Sequence, residues 1–555
     1  MTAIGGAKTI GFWSSIALLI NNITGPGIPS LPNMFAEAGW LVPVLCLLAV
    51  WLMTTLSAAM FCEAMERIPG NTAFAGRIEY STIVNHYFGR RWYFAAQVGL
   101  NGALQSLCVI SVVQSAQVMD VFISAVAGKT CGLNLTPFAN ILVGSTAIAG
   151  SDSFASCVDA ADLSNGNAWG CHVVLSVGFA LTAAMAIPCG RWNLDDNMII
   201  QRVAFVLTCL CWLTWLVAAL SAIGGGDDAG GNRTALTPLP AVNNDPNTGS
   251  VAGVLGTILF NFGFVTTVPS WVNEKHPATR VNPTLWSATT LCVLIFGLMG
   301  IPAALAFAPM LQGGVTGTCQ LQQHDPNYNC ANDLMQVFTQ PSTAPWQTSK
   351  VATFILQASV YSFPIVAVVS SIPIFSIVVK YNLVENGASP RLGFLWGVVF
   401  PWALAFPLVH MPDVLQQFIN FTSLIFVAFT DFIVPFSLYV VLQRRSTQQQ
   451  LSLQSVAPLS ACTPPLLPPV RATSATGDGS EVEGYVGANA AAVHLAQHHA
   501  LPAAFCTYDA APQHKSALSV LLGSALTLMA VVAIYLTVVQ GSYDFGAKTC
   551  ALVGN

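Results

Sequence analysis

The sequence predicts an all-α polytopic membrane protein with about eleven transmembrane helices, of which the first and sixth are discontinuous. Three observations support this prediction. The 555-residue chain has a mean hydropathy of +0.63, and only 8% of its residues are charged, against about a quarter in a soluble domain. Apolar runs of about 18 residues or more recur along it. Two of these runs are interrupted by glycine, proline and polar residues.

The apolar runs divide the chain into a core, a loop and a last helix. The core, residues 1–442, has one set of spans within 10–224 and a second within 250–442. These spans lie near 10–38, 40–65, 92–126, 172–190, 202–224, 250–272, 284–310, 350–380, 393–409 and 414–442. Residues 443–515 are rich in Ser, Gln, Pro and Ala and predict a disordered cytoplasmic loop. The eleventh span covers 516–541, and 542–555 form an exterior tail.

The positions of Lys and Arg predict the orientation of these spans. With the N-terminus in the cytoplasm, nearly all basic residues fall on the inner side, and only Lys129, Arg233, Lys350 and Lys548 fall outside. Such a bias is typical of cytoplasmic loops. An odd number of spans then places the C-terminus on the exterior or lumenal side.

Sequons and cysteines fall in the loops assigned to the exterior. Asn134 and Asn232 begin Asn-X-Thr sequences and are candidate glycosylation sites. An oxidising compartment would allow disulfides there, and Cys319 with Cys330 and Cys157 with Cys171 are candidate pairs. The sequence does not fix this connectivity.

The break in span one is the most informative stretch. Residues 20–29 read Ile-Asn-Asn-Ile-Thr-Gly-Pro-Gly-Ile-Pro within a segment long enough to cross a bilayer. In lipid every amide and carbonyl needs a partner, so such a break is tolerated only where the backbone lines a cavity or packs against protein. Glycine and proline also serve packing alone in membrane helices, so one break leaves both interpretations open.

A second break lies in span six, where residues 256–269 contain Gly263, three threonines and Pro269. If the two sets of five spans are inverted copies, the two breaks occupy equivalent positions. Such a pair is the sequence indication of a transporter binding site near the middle of the bilayer.

The chemistry of the breaks favours a neutral zwitterion. Amides at the half-helix that begins near Gly27 and Ile28 carry partial positive charge and attract an anionic group. Carbonyls between Asn21 and Thr24 favour a cation. No Lys or Arg is predicted deep in any span, so neutral amino acids fit best.

These residues resemble the amino acid/auxin permease family of the amino acid–polyamine–organocation superfamily. Residues 24–32, Thr-Gly-Pro-Gly-Ile-Pro-Ser-Leu-Pro, followed by Ala38-Gly39-Trp40, are similar to its first-helix signature. The similarity continues through 264–277 and through Ser-Ser-Ile-Pro-Ile-Phe at 370–375. It implies a LeuT-type fold with a 5+5 inverted repeat and the transport of amino acids.

The resemblance also implies the roles of individual residues. It assigns substrate binding to Asn22, Thr24, Gly25, Gly27, Ile28, Phe262, Gly263 and Thr266. It places a cation between carbonyls of Asn21 and Thr24 and the hydroxyls of Ser370 and Ser371, oxygen ligands that suit Na⁺. Pro26 has no amide, so this loop offers the substrate carboxylate fewer donors than loops with another residue there.

Asp431 is the deepest carboxylate in the spans, in span ten. Charged groups are costly in the membrane, so Asp431 is a candidate proton carrier, with a structural hydrogen bond as the alternative. We expect no cofactor and no metal apart from Na⁺, with Na⁺ or H⁺ as the coupling ion.

Three classes of function remain for this sequence. The leading one is a secondary active transporter of neutral amino acids, a symporter that works by alternating access. The alternative is an amino-acid sensor that keeps the fold without significant flux. An enzyme is disfavoured because no His pair, carboxylate pair or nucleophile with a base is evident. We expect a monomer in the lipid bilayer of the plasma membrane or an endolysosomal or vacuolar membrane, binding a small-molecule amino acid and no nucleic acid.

Overall fold

Long apolar helices form most of the structure, a computed structural model that describes residues 8–25, 27–135, 155–159, 169, 174–224, 239–243, 252–311, 331, 333–339, 350–409 and 421–456. In this part of the chain, 8 helices are long and apolar enough to cross a membrane, and Phe12–Ile23 and Val177–Cys189 are shorter apolar helices. Together they match every span predicted within the core. The predicted eleventh span and the exterior tail lie outside the described residues.

The helices that follow the N-terminus are α1 (Phe12–Ile23), α2 (Leu31–Ala38), α3 (Leu41–Glu66), α4 (Tyr80–Phe88), α5 (Arg90–Ala127), α6 (Val177–Cys189) and α7 (Met198–Gly224). The later ones are α8 (Ala252–Asn261), α9 (Val268–Glu274), α10 (Val281–Phe307), α11 (Leu334–Thr339), α12 (Lys350–Phe363), α13 (Val369–Glu385), α14 (Pro390–Phe394), α15 (Phe400–Leu408) and α16 (Val434–Val456). Helix α16 continues into the segment where the sequence predicts a loop. The other residues of that loop, from 457 onward, lie outside the described part.

Spans one and six are both discontinuous, as the sequence predicts. Span one consists of α1, a short 3₁₀ turn at Ile28–Ser30, and α2. Span six consists of α8, a 3₁₀ turn at Val265–Thr267, and α9. Wider π-helical turns occur at Pro364–Val368, Leu395–Val399 and Ser423–Ile433. Turns of this kind are frequent at functional sites.

Helix α7 shows how the bundle separates lipid-facing from inward-facing residues. Its exposed apolar residues recur every three or four positions and form a stripe on one face: Ile199, Val203, Val206, Leu210, Leu213, Val217 and Leu220. Such periodic exposure is what a helix presents when one side contacts lipid. Gln201, Thr208 and Trp215 lie on the other side and are buried. Gln201 and Thr208 of α7 therefore face the protein interior.

Span six lies at the centre of the bundle and is buried almost throughout. Helix α10 packs against α1, α2, α3 and α7, while α5 packs against α6, α13 and α15. The elements that enclose the two breaks thus come from both halves of the chain.

A three-stranded antiparallel sheet follows α5, with β1 (Lys129–Asn134) between β2 (Ala155–Asp159) and β3 (Val174–Ser176). Cys131 lies opposite Cys157 in the register of β1 and β2, and the two form a disulfide. The predicted pairing of Cys157 with Cys171 is therefore wrong, because strand pairing brings Cys157 to Cys131, a partner 26 residues away in the sequence. Cys171, Cys319 and Cys330 lie outside the described residues.

The sheet is joined to the helices through Asp120, near the end of α5. One oxygen of its carboxylate accepts hydrogen bonds from Thr130 Oγ1 and from the amide of Gly178, each at 2.9 Å. Asp120 therefore ties β1 to the first turn of α6. Asn134, the candidate glycosylation site in β1, is 6% exposed, and Asn232 lies outside the described residues; glycosylation of either stays a prediction.

Candidate functional site

The first half of span one ends at a threonine that closes its own helix. Both the amide and the hydroxyl of Thr24 donate to the carbonyl of Ile20, at 2.7 and 2.6 Å. After Gly25 and Gly27 the chain enters the 3₁₀ turn that begins at the fully buried Ile28. The hydroxyl of Ser30 donates to the carbonyl of Gly27 at 2.8 Å, which fixes the start of the second half.

The first half of span six ends in a similar way, at Asn261. The amide of Gly263 bonds the carbonyl of Phe260 at 3.3 Å. The carbonyl of Phe262, assigned to the substrate amino group by the resemblance, already accepts from the amide of Phe264 at 2.9 Å and from Thr54 Oγ1 at 3.3 Å. A substrate ammonium at this carbonyl would therefore share it with donors from the protein.

The two breaks contact each other at two points. Asn22 Nδ2 donates to Thr267 Oγ1 at 2.5 Å, and that hydroxyl donates in turn to the carbonyl of Phe264 at 2.7 Å. The Asn261 side chain lies directly over Gly27, so closely that a Cβ atom on Gly27 would be 2.3 Å from Asn261 Oδ1. The absence of a side chain at Gly27 is what lets the two half-helices approach.

Three buried polar atoms at the breaks have no hydrogen-bond partner within the described part of the chain. They are Asn22 Oδ1, Asn261 Oδ1 and Thr266 Oγ1. Their residues are at most 7% exposed. Buried polar atoms are paired in the great majority of cases, so these three atoms are available to a polar ligand, although unpartnered buried atoms also occur elsewhere in the described residues, such as Ser111 Oγ and Ser115 Oγ. Asn261 is not among the site residues predicted from the sequence, although an asparagine at the end of an apolar half-helix was a visible indication.

Asp431 lies against the break of span six. Its Oδ2 accepts from the amide of Val265 at 2.8 Å, and its Oδ1 accepts from Thr430 Oγ1 at 2.9 Å. The residue is fully buried. A carboxylate here satisfies an amide left free where the second half of the helix begins, and it interacts favourably with the positive end of that half-helix. Tyr80 from α4 bonds the neighbouring carbonyl of Thr430 at 2.6 Å.

The residues assigned to a cation site are connected through α7. Asn21 Nδ2 donates both to the carbonyl and to Oε1 of Gln201, each at 2.9 Å. Gln201 Nε2 donates to the carbonyl of Ser370 at 2.8 Å. Ser370 and Ser371 are both buried. The structure thus brings Asn21 and Ser370 to opposite sides of one glutamine, which is not among the site residues predicted from the sequence.

The sequence matches the profile of one known protein family. The profile of the family described as transmembrane amino acid transporter protein matches residues 8–460, which include both breaks, α16 and every span of the core. The chain belongs to this family. The resemblance found in the motifs of spans one, six and eight is thereby confirmed, and the protein is a multi-pass membrane transporter by family.

Among solved structures, this transmembrane amino acid transporter family member is similar to Mhp1, a nucleobase-cation-symport-1 family transporter, in a closed conformation with bromovinylhydantoin bound. The similarity covers 98% of each chain at 13% sequence identity, with a TM-score of 0.45. No curated protein sequence matches the chain.

Proposed function

We propose that the protein is a secondary active transporter that carries neutral amino acids by alternating access, coupled to Na⁺ or H⁺, with its substrate held between the breaks of spans one and six. The observation that supports this most directly is the set of unpartnered buried atoms Asn22 Oδ1, Asn261 Oδ1 and Thr266 Oγ1. Two of them are amide oxygens that can accept from an ammonium group, and the third is a hydroxyl. The family supports the class of function, and these atoms support the breaks as the proposed binding site.

The charge of the site supports a zwitterion. The polar side chains at the breaks are amides and hydroxyls, and the carboxylate beside them, Asp431, already accepts from Val265 and Thr430. The half-helix that begins at the Ile28 turn provides the partial positive charge for a substrate carboxylate. A substrate with a net charge would need a fixed counter-ion in this low-dielectric setting, so we assign the site to neutral amino acids.

Transport requires that the site opens to each side in turn. At the end of the bundle where α1 begins and α9 ends, main-chain hydrogen bonds join the two segments. The amide of Ile10 donates to the carbonyl of Glu274 at 3.3 Å, and the amide of His276 donates to the carbonyl of Ile10 at 2.8 Å. At the opposite end of span one, the amide of Trp40 bonds the carbonyl of Pro240 at 3.1 Å. We propose that the first contacts separate on opening to the cytoplasm and the second on opening to the exterior, with the N-terminus cytoplasmic.

The test is uptake of a labelled mixture of amino acids into proteoliposomes under an imposed Na⁺ gradient, an imposed H⁺ gradient or no gradient. We expect accumulation under a gradient and its loss in Asn261→Ala. Asn101→Ala is the matched control, because Asn101 bonds Gln97 and Trp396 away from the breaks. Binding without accumulation in correctly oriented protein would contradict transport and favour a sensor.

A further inference from the structure

The resemblance implies a Na⁺ ion between the carbonyls of Asn21 and Thr24 in span one and the hydroxyls of Ser370 and Ser371 in span eight, and a side-chain amide from α7 already joins these two segments. A cation in this place needs carbonyl and hydroxyl oxygens turned toward it. Beside these oxygens, the carbonyl of Ser370 accepts from Gln201 Nε2, and the side-chain Nδ2 of Asn21 donates to Gln201. The hydroxyl of Thr24 is directed to the carbonyl of Ile20.

We propose that Gln201 replaces the alkali ion: its side-chain amide joins spans one and eight, and transport uses no Na⁺ at this place. An N–H group carries partial positive charge, so Gln201 Nε2 offers the Ser370 carbonyl the interaction that a cation would offer. At the same time Gln201 Oε1 accepts a hydrogen bond from Asn21 Nδ2. The inference rests on the proposed function, since it names how the same transport site is coupled.

The geometry makes Gln201 a positioning residue with little freedom. It lies on the inward face of α7 and is fully buried. Its bonds to Asn21 join residues 180 positions apart, and its bond to Ser370 joins residues 169 positions apart. Ser370 is the second residue of α13, which begins directly after the π-helical turn Pro364–Val368. The Ser370 carbonyl thus accepts from Gln201 in the first turn of α13.

A permanent amide and a removable ion have different consequences for a transporter. An ion that ties span one to span eight leaves when the site opens, so its gradient can drive the cycle. A covalently attached amide stays, so a Na⁺ gradient supplies nothing through this contact. A proton gradient, with Asp431 as the proposed carrier, is then the remaining candidate of the two coupling ions.

The test combines uptake with thermal unfolding of the purified protein in Na⁺ and in choline. A ligand that binds the folded state raises the unfolding temperature. We expect no difference between Na⁺ and choline for the wild type in either measurement. Gln201→Ala should lower uptake roughly ten-fold, as expected when buried hydrogen-bonding groups lose a partner. Gln105→Ala is the matched control, because Gln105 makes one comparable bond, from Nε2 to the carbonyl of Trp396 at 2.9 Å, and should keep most of its uptake.

A second variant keeps the inference testable if Gln201→Ala does not fold. Gln201→Glu retains the acceptor for Asn21 but places a carboxylate oxygen against the Ser370 carbonyl, so it should acquire stabilisation by Na⁺ or by acid that the wild type lacks. Na⁺-dependent uptake by the wild type, or a Na⁺-induced rise in its unfolding temperature, would overturn the proposal. If oriented vesicles accumulate no amino acid under any gradient, the proposed function fails, whereas the unfolding comparison still decides the role of Gln201.

Discussion

Asn22 and Thr267, which are 245 positions apart in the chain, share a hydrogen bond of 2.5 Å at the point where two broken helices meet. The donor of this bond is the side-chain Nδ2 of Asn22, and the Oδ1 of the same side chain has no partner among the described residues. One side chain therefore links the two breaks and still offers an acceptor to a ligand.

Replacing Thr267 by valine removes this acceptor with little change in shape. We expect Thr267→Val to lower amino acid uptake roughly ten-fold, because a buried donor of Asn22 loses its partner. Thr284→Val is a suitable control, since the hydroxyl of Thr284 donates to the carbonyl of Arg280 at the start of its own helix. Equal uptake by both variants, at equal amounts of protein in the vesicles, would mean that the Asn22 to Thr267 bond does not matter for transport.

A side chain at Gly27 should block the approach of the half-helices. The Cβ atom of Gly27→Ala would lie 2.3 to 2.6 Å from three atoms of Asn261, so one of the two breaks must shift. We expect Gly27→Ala to reduce uptake and Gly27→Val to abolish it, with normal amounts in the membrane. Gly297→Ala is the matched control, because a Cβ atom at Gly297 would have no heavy atom within 4 Å and should leave uptake unchanged. Wild-type uptake by Gly27→Val would move the substrate site elsewhere.

Asp431 allows a test of proton coupling. Asp431→Asn preserves an oxygen for the amide of Val265 but cannot exchange a proton near neutral pH, so we expect exchange of amino acids to continue while accumulation driven by a pH gradient is lost. Asp431→Ala leaves that amide unpaired and should lower stability by about 1–3 kcal/mol. The control is Asp120→Asn, another buried carboxylate that accepts from a backbone amide. Unchanged pH-driven accumulation in Asp431→Asn would exclude the carrier role.

The buried carboxyl of Glu79 should make the stability of the folded protein depend on pH. It precedes α4, outside the spans, and accepts from Ser270 Oγ at 2.6 Å and Asn273 Nδ2 at 3.0 Å. Burial raises the pKa of Glu79 from 4.5 to about 7, with Glu385 and Glu274 contributing in the same direction and the two hydrogen bonds opposing it. The folded protein therefore holds this proton more tightly than the unfolded chain.

The contribution of Glu79 to stability is greatest below pH 4.5 and falls as the pH rises to about 7, by about 3 kcal/mol. We expect Glu79→Gln to flatten this dependence between those values and to be more stable than the wild type at pH 8. Thermal unfolding across the range is the measurement. An identical pH profile for the two proteins would mean that Glu79 does not titrate in this interval.

The disulfide gives a prediction that separates the two cysteine pairings. Cys131→Ser should leave Cys157 reactive toward a maleimide polymer without reductant, while Cys171→Ser should leave Cys157 protected. The cross-link closes a loop of 26 residues, so its loss should cost about 2–4 kcal/mol of stability. Protection of Cys157 that disappears in Cys171→Ser would restore the pairing expected from the sequence.

Features that depend on one stretch of chain could be predicted from the sequence, and features that depend on distant residues could not. Gly27 and Pro269 interrupt apolar runs, so both breaks were predictable. The contact of Gln201 with Asn21 and Ser370 requires the rotation of α7 against two other helices, which periodicity within one helix does not supply. The same holds for Asp431, whose depth was predicted but whose bond to Val265 was not, and for Cys131, whose partner is set by strand register.

The main-chain bonds between Ile10 and residues 274–276 also provide an optical readout. Thr9 and Ala278 are exposed on either side of these bonds, so a donor and an acceptor fluorophore on cysteines at these positions would report their separation. Energy transfer in single molecules would then record each time the N-terminal segment detaches, without any labelled substrate. Such traces would give the dwell times of the closed and open states directly.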